Sequence, residues 1–64
     1  MSRMTAAEVI AEIDWFLEVG EHPAMICAVL GRFPASLERL CRRYGRDDLA
    51  AIFGKEAKYR ERHQ

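Results

Sequence analysis

Between Thr5 and Gly20 the chain carries an apolar stripe at helical spacing. Ala6, Val9, Ile10, Ile13, Phe16 and Leu17 fall within about 120° of one another on a helical wheel. Thr5 and Glu8 stand at capping-box spacing and predict where this helix starts; Gly20 predicts its end. A second run, Pro23 to Leu30, opens on a proline suited to a first helical position and stops at Gly31, a natural left-handed cap. A third begins near Pro34 and ends at Gly45, with Leu37, Leu40, Cys41 and Tyr44 at helical spacing. A fourth follows, with Asp47 as its expected N-cap and Leu49, Ile52 and Phe53 as its buried stripe. Gly54 weakens that helix. Residues 55–64 have almost no apolar face and read as a charged helical tail that frays. No run alternates with period two, and no repeat or linker divides the chain. The pattern predicts an all-α single domain over residues 1–64: a three- to four-helix bundle with a central helix-turn-helix.

Length sharpens this picture. A chain of 64 residues buries only roughly 60% of its unfolded surface, so its stability is marginal. Dimerisation would add to it. Cys27 and Cys41 lie on core-facing positions and read as small buried apolar residues, reduced in a cytoplasmic protein. No apolar run approaches the roughly 18 residues a membrane span needs, and the first residues lack a signal-peptide pattern. His22 and His63 have no partners at metal-ligand spacing. No nucleophile–base pair and no glycine-rich phosphate loop is present, and the acids of the first helix read as a solvated face. The expectation is a protein without catalytic activity, metal, cofactor or small-molecule substrate.

The net charge of zero conceals an asymmetry. Residues 1–31 hold one basic residue, Arg3, and five acids, a sum of −4; residues 32–64 hold nine basic residues and five acids, a sum of +4. Arg39, Arg42, Arg43 and Arg46 crowd into eight residues. Such a distribution points to a basic functional face on an otherwise acidic body. The plainer alternative is a solvated helix surface on which Glu38 pairs with Arg42 at i,i+4.

The segment "PAMICAVLGRFPASLERLCR", residues 23–42, resembles the twenty-residue helix-turn-helix pattern of Cro- and repressor-type DNA-binding proteins. The small residue expected fifth is Cys27, the apolar eighth is Leu30, and the glycine expected ninth is Gly31. The apolar fifteenth and eighteenth are Leu37 and Leu40, and Ile26, fourth, is also apolar. The wording around it is also similar to small helix-turn-helix proteins of actinobacteria and their phages. Two positions depart from the pattern. The tenth, often apolar, is Arg32. The eleventh, often Ser or Thr, is Phe33, which cannot cap the third helix and forgoes about 1 kcal/mol.

The resemblance implies double-stranded DNA binding and transcription regulation, with a recognition helix at about 34–44 lying in the major groove. Carried over by position, the outward residues are Phe33, Pro34, Ala35, Ser36, Glu38, Arg39 and Arg42. Arg39 is placed to fork onto a guanine edge, Ser36 to donate to a base or a phosphate, and Ala35 or Phe33 to pack on a thymine methyl. Glu38 and Arg42 complete the candidate base contacts. Arg32, Arg43 and Arg46 are the candidate phosphate contacts. The alternative is a small protein-interaction module, an adaptor or phage host-takeover protein, using the same fold against a protein. Trp15, Val19 and Phe33 are its candidate surface. Trp15 and Val19 fall opposite the core stripe, so either they form an interface or the fourth helix covers them. An interface there would suit a symmetric homodimer through the first helix.

Overall fold

A computed structural model describes residues 4–62. These form four helices: α1 (Ala6–Glu18), α2 (Pro23–Leu30), α3 (Pro34–Arg43) and α4 (Asp47–Arg62), with no strand among the described residues. The all-α bundle predicted from the apolar pattern is the fold observed, and no helix is long and apolar enough to cross a membrane.

Local chemistry sets each helix start. The Thr5 hydroxyl accepts from the Glu8 N–H at 3.2 Å, and the Glu8 carboxylate accepts from the Thr5 N–H at 2.9 Å. This is the reciprocal capping box. At α2 the cap is His22, whose Nδ1 accepts from the Ala24 N–H at 3.0 Å. At α3 the cap position is Phe33, and no side chain caps it. For α4 the expected start shifts by one residue. Asp47 is already helical, and the Arg46 carbonyl accepts the Ala50 N–H at 3.0 Å. Tyr44, Gly45 and Arg46 are the only residues between the two helices.

The helix ends are closed by glycine. Gly31 has φ +65°, a left-handed conformation that costs other residues about 1–2 kcal/mol. The Arg32 N–H then reaches back to the Cys27 carbonyl at 3.1 Å, satisfying a carbonyl the helix leaves open. Gly20 and Gly45 close α1 and α3 in the same way, through Glu21 N–H to Phe16 O at 2.9 Å and Arg46 N–H to Cys41 O at 2.8 Å.

All four helices supply the core. Val9 and Ile13 come from α1, Ile26 and Cys27 from α2, Leu37 and Cys41 from α3, and Leu49, Ala50 and Phe53 from α4. The most extensive helix pairing is α3 with α4. Tyr44, expected on the apolar face of α3, instead follows its last turn and is exposed, because the helix ends at Arg43.

The charged tail expected after Gly54 is part of α4, and one of its residues is not solvated. Among the described residues α4 runs unbroken past Gly54 to Arg62. Glu56 is buried beside the start of α2, with a carboxylate oxygen 3.8 Å from His22 Nδ1. Leu49, Phe53, Glu56 and Arg60 continue one helical stripe, and its last two members face α2 although they are polar. His63 and Gln64, the end of that tail, lie outside the described residues.

Arg46 ties three helices together. Its guanidinium donates two bonds of 2.8 Å to Asp14 on α1 and bonds of 3.2 and 3.1 Å to Asp48 in the first turn of α4. Its backbone joins α3 to α4. Hydrogen bonds from Arg46 hold both carboxyls below the usual carboxylate range. The stability these pairs contribute is therefore complete above the ordinary carboxylate value of about 3.9. It is lost as pH falls through the lower folded-state values.

Thermal melts followed by circular dichroism check this. Arg46→Ala is expected to melt below wild type at neutral pH, and the gap is expected to close as pH falls below about 4. A gap that stays constant into acid would refute the assignment. Phe53→Ala, which empties the centre of the core, is expected to cost about 3–5 kcal/mol. That loss is comparable with the whole stability of a chain this short, so most of the variant should be unfolded at 37 °C.

Candidate nucleic-acid interface

The α3 helix shows the site from its packing. Pro34, Leu37 and Cys41 are buried, and Glu38 and Leu40 are half-buried. At 100° per residue the opposite face holds Ala35, Ser36, Arg39, Arg42 and Arg43, all exposed, with Arg39 at its centre. Pro34, expected to point outward, is buried because the first turn of α3 leans on α4. On one flank Ser36, Arg39 and Arg43 border a shallow depression of about 340 Å³ that Ala6 of α1 closes.

The arginines separate into two groups. Arg46, a candidate phosphate contact, spends its donors on Asp14 and Asp48 and holds the bundle together. Arg42 pairs with Glu38 at 3.1 Å. Glu38 itself lies across toward α4: a Cβ built on Gly54 would meet its Oε2 at 3.0 Å. That pair draws two candidate base contacts, Glu38 and Arg42, to the α4 side. Arg32, Arg39 and Arg43 make no ion pair among the described residues. Glu38–Arg42 pairing was the bland expectation for this helix, and the geometry has it; the other arginines are not explained that way.

One basic residue near the site was missed. Arg60 is half-buried on α4 and lines a small depression of about 220 Å³ with Arg32, Phe33 and the Gly31 turn. Its only signal in the sequence is its place in the stripe Leu49–Phe53–Glu56–Arg60, which hydrophobicity alone does not show. Phe33 is 74% exposed at the head of α3. Trp15 and Val19 are also exposed, at 53% and 55%, so α4 does not cover them. The Trp15 ring meets Phe16 edge-on, with centroids 5.2 Å apart.

Other chemistry is sparse. Burial pushes the thiols of Cys27 and Cys41 up, so both remain neutral and unreactive near pH 7. No group of three or more His, Cys, Asp or Glu side chains among the described residues could hold a metal ion. Compared with models of known families, with curated proteins and with solved structures, the chain matches none.

Gly54→Ala tests the Glu38 contact. The added methyl must push the flexible Glu38 carboxylate aside while removing a helix-interior glycine worth about 1 kcal/mol. The variant is expected to melt at or above the wild-type temperature. In a double-mutant cycle the Glu38–Arg42 coupling should fall from its few-tenths kcal/mol scale to about zero. An unchanged coupling would refute the geometry.

Proposed function

We propose that this chain binds double-stranded DNA through the outward face of α3 and regulates transcription. The observation that carries the reading is the contrast among the arginines. Arg42 and Arg46 are neutralised by acids, whereas Arg39 and Arg43 stand unpaired on the face of α3 that points away from the core. An unpaired guanidinium is free to fork onto a guanine edge or grip a phosphate. A paired one must first give up its carboxylate.

In this reading Arg39 reaches a base edge, with Ser36 and Ala35 beside it. Arg43 and Arg32 take phosphates, and Arg60 joins Arg32 on the same rim. Glu38 and Arg42 contribute less than their position in the resemblance implies, and Arg46 positions α3 rather than touching DNA. A second reading, a protein-interaction module, is favoured by one observation: Trp15, Val19 and Phe33 are large apolar side chains left in solvent.

Fluorescence anisotropy on random-sequence duplex DNA separates the two. Wild-type affinity is expected to fall at least about tenfold between about 50 and about 200 mM salt. Arg39→Ala/Arg43→Ala should weaken binding and flatten the log–log salt slope by about two. Trp15→Ala should leave both unchanged. A folded protein that fails to bind at low salt would overturn the DNA reading and leave the protein-partner one.

A further inference from the structure

The outer face of α1 and the groove between α3 and α4 are complementary. On α1, the residues opposite the core form a stripe in which Met4, Trp15 and Val19 are exposed among Glu8, Glu12 and Glu18. Residues 4–19 contain no basic side chain, and among the described residues Asp14 is the one acid there that makes an ion pair, with Arg46. Trp15 and Val19 are thus the apolar end of this face, and Glu8 and Glu12 lie along it between Trp15 and Met4.

The groove has the opposite character. It encloses about 780 Å³ between α3 and α4, and more of its surface is apolar than polar. Phe33, 74% exposed, stands at one end. Ala51, Gly54 and Ala57 carry little or no side chain along its floor, where the Glu38 carboxylate lies over Gly54. Lys55, Lys58 and Arg60 line it, with Glu61 the acid that remains once Glu38 is paired to Arg42.

We infer that the outer face of α1 in one copy docks into the α3–α4 groove of a second copy, Trp15 entering beside Phe33 with the α1 glutamates against Lys55 and Lys58. The stripe points away from its own core, so it cannot fill the groove of its own chain. The charge pattern favours a second copy as occupant: the two halves of the sequence carry equal and opposite charge, and the net charge is zero, a condition that promotes self-association. The contact joins two different surfaces, so it is heterologous and leaves a free α1 at one end and a free groove at the other. It extends head to tail rather than closing as a symmetric pair. Arg39 and Arg43 lie outside the groove lining and stay exposed in such a chain, whereas Ala35 and Arg60 line the groove and are covered by it. The inference does not rest on DNA binding.

Sedimentation velocity in low salt, without DNA, tests it. Trp15 is the only tryptophan, so its emission reports the same event. The wild-type sedimentation coefficient is expected to rise with concentration while the emission shifts to the blue, and both changes should be reversed by salt. Trp15→Ala, Glu12→Lys and Lys55→Glu/Lys58→Glu should each remain monomeric, with circular dichroism confirming that they are folded. Mixing Trp15→Ala with Lys55→Glu/Lys58→Glu should give a species capped at two copies, because each supplies the half-interface the other lacks. A wild type that stays monomeric at every concentration would overturn the inference. So would a lysine double variant that associates as wild type does, since that result means a symmetric α1–α1 contact.

Discussion

The packing of α3 on α4 is the contact on which the rest of the structure depends. It brings Leu37 and Cys41 together with Leu49, Ala50 and Phe53, which is more than half of the buried apolar set. A helix of ten residues has little stability of its own in water, so α3 exists because this face is buried. Burying it fixes the helix rotation. Once Pro34, Leu37 and Cys41 are turned inward, Arg39 and Arg43 have only solvent to face. The exposed basic surface is thus a consequence of the core.

Arg46 shows how one residue type takes two roles within a short stretch. It follows the left-handed Gly45 and precedes α4, within reach of α1. Two carboxylates converge on it there, Asp14 from a distant part of the chain and Asp48 from its own. Bidentate geometry makes such a pair more than a chance surface contact. Its partial exposure keeps it well short of a buried ion pair. Arg39 and Arg43, a turn or two earlier, make no ion pair among the described residues. The difference lies in position along the helix, not in the side chain.

The same economy appears at Gly54. A glycine inside α4 costs helix stability, yet its missing Cβ is what lets the Glu38 carboxylate lie against α4. That contact holds Glu38 within reach of Arg42. A missing Cβ and an ion pair are here one feature.

Periodicity and punctuation were enough for the elements. The Thr5–Glu8 box, Pro23 and Pro34 at helix starts, and three glycines at helix ends are local signals, and each acts within a few residues of itself. The apolar stripes of α1 and α4 likewise name their inward faces, because burial repeats at the helical period. Polar partners across the fold carry no such period. That Glu56 is buried, that Arg60 stands beside Arg32, that Arg46 is taken by Asp14, and that Trp15 stays in solvent all depend on which helices become neighbours. Thirty-two residues separate Asp14 from Arg46, and no spacing rule links them. The sequence by itself determined the helices and the inward face of each. Only the tertiary structure decided which charges would be spent holding the bundle together and which left free, because that choice is made by distance in space.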